Sequence, residues 1–202
     1  MKLMALVSED QLEQVKVGEF DKLVDSLWLC GMSSTDKALW RNVVERLAND
    51  FICDAVVELP TADAHTLSEL ADTACKWQPK LIPQFPMTRD GLLACKNFSS
   101  AGFKVALKVN EIWQVAISLK VRPTLLRLPT STALGATKGI LTESAQLLSS
   151  VLRAFEGACE KEHPIHIILE AASHDELPVA LTTIAFASGL LLPFSLLSNT
   201  LT

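Results

Sequence analysis

A chain of 202 residues with 49% hydrophobic content is long enough to bury one sizeable core, and a single domain over residues 1–202 is expected. Its formal net charge of −5, with no run of Lys or Arg, argues against a nucleic-acid partner, because such a surface needs clustered cations to neutralise phosphates. Five widely spaced cysteines (Cys30, Cys53, Cys75, Cys95 and Cys159), with no CxxC among them, argue against a disulfide framework and a zinc knuckle, and fit reduced thiols in a cytoplasmic protein.

In chain order, Lys2–Val7 reads as a strand, and its apolar run is too short for a signal peptide. A helix is predicted over Asp10–Val17, and a weak strand over Leu27–Cys30. A helix at Asp36–Asp50, a strand at Ala55–Leu59 and a helix at Ala62–Trp77 follow. Leu81–Phe85 reads as a buried strand, with Thr88 as the cap of a helix over Arg89–Ser100. Next come a strand at Lys104–Val109, a helix at Glu111–Lys120 and a strand at Thr124–Leu128. The pattern ends with a helix at Thr142–Lys161, a strand at His166–Glu170, a helix at His174–Ala187 and a strand at Leu190–Pro193. Ser173 and Glu176 fit a capping box for the last of these helices.

Strands that alternate with helices at this spacing imply a parallel sheet. The near-continuous apolar runs AVVEL, KVALKV and HIILE are what burial on both faces requires. Eight such strands predict a (β/α)8 TIM barrel with a short or missing last helix. Residues 179–198 carry no charge and have the length of a membrane span, so a membrane tether is a rival reading. Gly189 and Pro193 interrupt that stretch and favour a helix followed by a strand. His163 and His166 precede the seventh strand, on the stability face of such a barrel, so no metal site is expected there. Trp28, Trp40, Trp77 and Trp113 are expected to pack. No sequence feature calls for a cofactor.

The stretch "IPQFPMTRDGLLACKNFSSAGFKVALKV" resembles the fourth-strand region of the small transaldolases and fructose-6-phosphate aldolases. The matching residues are Phe85, Pro86, Met87, Thr88, Asp90, Gly91, Leu92 and Gly102. "LEAASHDELPVAL" resembles the family's seventh strand and its turn, with Ser173 at the phosphate-binding serine. "MKLMALVSEDQLEQVK" resembles the family's start, and the likeness runs in order over nearly the whole chain. The resemblance implies a transaldolase-like barrel connected with sugar-phosphate metabolism, and an oligomer is possible.

The departures fall on the chemistry. At the position of the family's Schiff-base lysine stands Gln84, and an amide cannot form an iminium. The family's first-strand aspartate falls on Leu6, its sixth-strand tyrosine on Arg127 and its phosphate arginine on Thr130. Its second-strand threonine region matches only loosely, near Asp25. Lys108 stands where the resemblance places a fifth-strand threonine. The inward polar set at the strand ends is therefore Glu58, Gln84, Lys108, Arg127 and Glu170, with Ser173 just beyond.

Two uses of that set compete. In one, Glu58 or Glu170 holds Lys108 in an ion pair, and the barrel binds a sugar-phosphate-like ligand or a partner through Arg127, Glu170 and Ser173 without Schiff-base catalysis. In the other, Lys108 is a relocated nucleophile of an aldolase or transaldolase, assisted by Glu58 and Gln84.

Overall fold

The computed structural model describes residues 2–11, 24–32, 35–50, 54–78, 80–137, 139–158 and 164–198. Eight parallel strands close into a barrel in sequence order. They are β1 (Lys2–Ser8), β2 (Ser26–Cys30), β3 (Asp54–Glu58), β4 (Leu81–Phe85), β5 (Ala106–Lys108), β6 (Leu125–Pro129), β7 (His166–Glu170) and β8 (Gly189–Pro193). Around them lie α1 (Lys37–Asp50), α2 (Ala64–Trp77), α3 (Arg89–Ser100), α4 (Val115–Val121), α5 (Ser131–Ala136), α6 (Leu141–Ala158), α7 (Leu177–Thr183) and α8 (Phe194–Ser198). The expected barrel is thus observed, including the weak second strand. Most of the helix predicted over Asp10–Val17 lies outside the described residues.

The helices pack through stripes at helical spacing. On α2 the buried residues Leu67, Leu70, Ala71 and Ala74 share one face, as do Ser144, Leu148, Leu152 and Phe155 on α6. Asp63 starts α2 by accepting from the N–H groups of His65 and Thr66, both at 3.0 Å. The expected cap on α3 is present: Thr88 Oγ1 accepts from the Gly91 N–H at 3.0 Å. Gly91 has a steric reason as well. A Cβ there would stand 2.1 Å from the Pro86 carbonyl oxygen, so only glycine lets the helix start this close to the end of β4.

Two expectations need correction, and the rival reading of a membrane span gives way to the favoured helix and strand. Ser173 does not cap a helix. The chain first makes a turn in which the Glu176 N–H reaches the Ser173 carbonyl at 3.2 Å, and α7 begins at Leu177 with Pro178 in its first turn. Residues 179–198 do not form a span: they divide among α7, a 3-10 turn at Ile184–Phe186, β8 and α8. Among the described residues no helix is long and apolar enough to cross a membrane. Of the tryptophans, Trp28 and Trp40 are buried but Trp113 is 62% exposed; it sits in a 3-10 turn ahead of α4. The Trp77 side chain is outside the description.

The core has two layers. One lies between the sheet and the helices and includes Leu27, Leu29, Val57, Phe85, Leu107 and Leu169. The other fills the barrel with Met4, Trp28, Val56, Ile82, Ala106, Ile168 and Leu191. Alternation along each strand separates the two. Cys95 belongs to the outer layer and is fully buried, whereas Cys30 and Cys75 are partly buried; all three are free thiols. Cys53 and Cys159 lie outside the described residues.

Burial pushes the Cys95 thiol from 9.0 up to about 12. A raised value in the folded state favours the neutral thiol, so its stabilisation is complete below pH 9 and is lost as pH rises toward 12. The unfolding free energy from denaturant titrations is therefore expected to fall between pH 9 and 12, by up to about 4 kcal/mol from this group. Cys95→Ala should remove that part of the slope; an unchanged slope would assign it to other groups.

Candidate functional site at the barrel mouth

Inward positions follow from the strand register. Glu58 pairs with Gln84, Gln84 with Ala106, and Lys108 with Arg127. Pro129 pairs with Glu170, and Glu170 with Leu191. On the other side Leu6 pairs with Trp28 and with Pro193. The mouth at the C-terminal strand ends is thus polar from β3 to β7 and apolar at β8 and β1. In barrels of this kind the C-terminal end is where binding and catalytic groups are carried.

Arg127 is the centre of the polar side. Its Nε donates to Glu170 Oε2 at 2.8 Å and its Nη2 to Glu170 Oε1 at 2.7 Å, a bidentate fork. Its remaining terminal nitrogen, Nη1, donates to Glu58 Oε2 at 3.3 Å. The guanidinium also lies 5.9 Å from the Trp28 ring centroid. Burial weighs against the Arg127 charge, but the hydrogen bond to Glu170 and the charges of Glu170 and Glu58 outweigh it and hold the group above its ordinary value. Arg127 and Glu170 are almost completely enclosed, with side chains 3% and 8% exposed.

Lys108 and Glu58 form the outer pair. Their side chains are 30% and 26% exposed, and Nζ stands 3.8 Å from Glu58 Oε1. That contact is long for a charge-assisted hydrogen bond. Lys108 does reach Glu58, as expected. The buried cation that closes on Glu170, however, is Arg127, and Lys108 stays at the rim.

Gln84 is fully buried. Trp28 Nε1 donates to its Oε1 at 2.7 Å. An indole nitrogen only donates, so this bond fixes which end of the amide faces Trp28. The other end, Nε2, is buried and has no hydrogen-bond partner among the described residues.

Ser173 does not join this set through any hydrogen bond of its side chain among the described residues. Its neighbour Glu176 fills the place between the ends of β6 and β7. Glu176 Oε2 accepts from Thr130 Oγ1 at 2.9 Å and from the Ala172 N–H at 3.0 Å. Thr130 is itself fully buried. Asp25 is also far from the mouth: it accepts from the Leu3 N–H at 2.7 Å, at the start of β1 and β2. His166 lies at the opposite end of the barrel, 3.3 Å from Ser188 Oγ, and His163 is outside the described residues. Among the described residues no cluster of His, Cys, Asp or Glu could hold a metal ion.

Two residues of the mouth were not selected from the sequence, Trp28 and Cys30. A signal existed. In "SLWLC" the residues Ser26, Trp28 and Cys30 alternate, so all three point to one side of β2. Burial, the main influence, raises the Cys30 thiol; Arg127 and Lys108 lower it and Glu58 and Glu170 raise it again, with a net upward shift. It is therefore a protonated thiol rather than an activated nucleophile.

Surface grooves lie elsewhere, and two of them are partly polar and free of carboxylates among their described residues. One of about 490 Å³ runs between α6 and α7 past Gln146, Arg153 and Thr182. Another of about 750 Å³ lies by α3 and α4, past Lys96, Lys120 and Arg122. No described residue lining either is a carboxylate, so the paired acid and amine of the barrel mouth have no counterpart there.

Comparison with protein-family models finds no match, and comparison with curated proteins finds none. Solved structures do match, 169 chains in all, so the likeness is to a widespread architecture. One is described as the native KDPGal structure, with a TM-score of 0.61 and 13% identity over 95% of this chain and 82% of that one. Another, from Sorangium cellulosum, is a candidate mandelate racemase/muconate lactonizing enzyme, with a TM-score of 0.63 and 14% identity. The match covers 94% of this chain and 53% of that one, so this chain spans about half its length. At these identities the shared property is the fold, an eight-stranded parallel barrel with helices between the strands.

Proposed function

We propose that this protein is a transaldolase-like barrel that binds a small carbohydrate-type ligand at its mouth and has given up the Schiff-base chemistry of the family it resembles. The observation that carries this reading is the Gln84 amide, fixed by Trp28 Nε1 at 2.7 Å in the place where the resemblance puts the reactive amine. No iminium forms on an amide. A second reading, an aldolase or transaldolase that uses Lys108, draws on one observation: Lys108 is an amine reachable from solvent, 3.8 Å from a carboxylate that could accept a proton.

The two readings separate by chemistry. The protein is expected to cleave no fructose 6-phosphate and to transfer no dihydroxyacetone unit. Borohydride reduction in the presence of a sugar phosphate should leave no adduct on Lys108 when peptides are analysed by mass spectrometry. An adduct there, or turnover on the order of 1 s⁻¹ or faster, would establish the second reading. Gln84→Lys alone is not expected to restore cleavage, because Leu6 and Thr130 still stand in place of the family's acid and phosphate-binding arginine.

A further inference from the structure

Building on that reading, we infer that the ligand is an uncharged hydroxy-carbonyl compound, such as an unphosphorylated sugar, held by Gln84 Nε2 and the Glu58–Lys108 pair. The first ground is the amide. Its oxygen is committed to Trp28, and Nε2 is buried with no hydrogen-bond acceptor among the described residues. A buried donor of this kind calls for an acceptor oxygen. The neighbour on β5 is Ala106, whose side chain is a single methyl, and the next inward residue on that strand is Lys108. Gln84 and Ala106 are both fully buried, so a carbonyl or hydroxyl oxygen that reaches Nε2 would enter past the partly exposed Lys108 ammonium at the rim.

The second ground is the charge balance of the mouth. Glu170 holds the Nε–Nη2 fork of Arg127, and Nη1 goes to Glu58. Three of its five N–H groups are thus committed to carboxylates, and with the side chain only 3% exposed the guanidinium is poorly placed to take a phosphate. What remains partly open is one amine and one carboxylate, a donor and an acceptor 3.8 Å apart with no net charge between them. Hydroxyl groups, which donate and accept, satisfy both members of such a pair.

The third ground lies between the ends of β6 and β7. The Thr130 hydroxyl and the Ala172 N–H are the donors an anionic group would seek there, and the protein's own Glu176 carboxylate accepts from both. A phosphate would have to displace that carboxylate or bear its repulsion.

Proton–nitrogen correlation NMR tests this directly, because the Trp28 indole N–H bonds to the same amide. Its resonance is assigned with Trp28→Phe. Dihydroxyacetone and D-fructose are titrated against dihydroxyacetone phosphate and fructose 6-phosphate. The expected result is a saturable shift of the Trp28 indole signal with the uncharged compounds, at least tenfold weaker with the phosphates and abolished in Gln84→Met. If Gln84→Met does not fold, Gln84→Glu serves instead; it keeps an acceptor for Trp28 and removes the donor. Tighter binding of either phosphate would overturn the uncharged-ligand inference and leave the binding reading standing. No shift with any of the four compounds would overturn both. A shift that survives the loss of Nε2 would place the ligand away from Gln84 and overturn the inference.

Discussion

Arg127→Met is expected to lower the folding stability by about 3–5 kcal/mol, the usual cost of leaving a buried charge without its partner. The side chains of Arg127 and Glu170 are 3% and 8% exposed, so water cannot replace the guanidinium once it is gone. Glu170 would lose both hydrogen bonds that Arg127 gives its carboxylate, while Glu58 would keep Lys108. For a chain of this length the melting temperature should fall by about 10 °C. Arg127→Met combined with Glu170→Leu removes both charges and should recover much of the loss, because an apolar replacement of a whole buried pair is often nearly neutral. Lys108→Ala supplies the contrast. Its contact with Glu58 is long and partly solvated, so less than about 1 kcal/mol is expected. Equal losses in Arg127→Met and Lys108→Ala would contradict the division into an enclosed pair and a rim pair.

Trp28→Ala should be about as damaging, about 3–5 kcal/mol by the usual cost of truncating a large core aromatic. Trp28 is fully buried among Met4, Val56, Ile82, Ala106, Ile168 and Leu191. Its loss would empty the middle of the barrel and strip Gln84 Oε1 of its donor. Trp28→Phe separates the two effects. It keeps most of the packing, so its smaller cost, about 1–3 kcal/mol, reports the unsatisfied amide oxygen. A Trp28→Phe variant as stable as the parent would mean that the indole bond to Gln84 contributes nothing. Equilibrium denaturation of the three proteins makes the comparison.

The barrel was legible because both-face burial writes strands as apolar runs, and Leu81–Phe85 and His166–Glu170 were placed to the residue. Helices with long apolar stripes were equally plain. The short α5 escaped notice because Ser131–Ala136 has too few turns to display a period. The polar residues of the mouth were legible through alternation: Lys108 must face the way Ala106 faces. What alternation cannot supply is partner choice. Two carboxylates and two cations near the strand ends admit more than one pairing, and only the structure assigns Arg127 to Glu170 and leaves Lys108 with Glu58. The Ser173–Glu176 motif misled for a related reason. Glu176 had a stronger use than a helix end, in the nearby Ala172 amide and in the Thr130 hydroxyl that the end of β6 brings to it from distant sequence.

The closure of the barrel bears on how the chain reaches this state. Seven of its strand pairs join neighbours in sequence, whereas the eighth joins Lys2–Leu6 to Gly189–Pro193. Consecutive strands can zip together one after another, each step closing a short loop at modest entropic cost. The β1–β8 seam must wait for the rest. Until it forms, β1 and β8 are free edges with unpaired N–H and C=O groups, which can recruit a strand from another molecule. The step most exposed to misassembly during folding is therefore this final stitch, and slow refolding at high protein concentration should favour chains that swap β8 over chains that close on themselves.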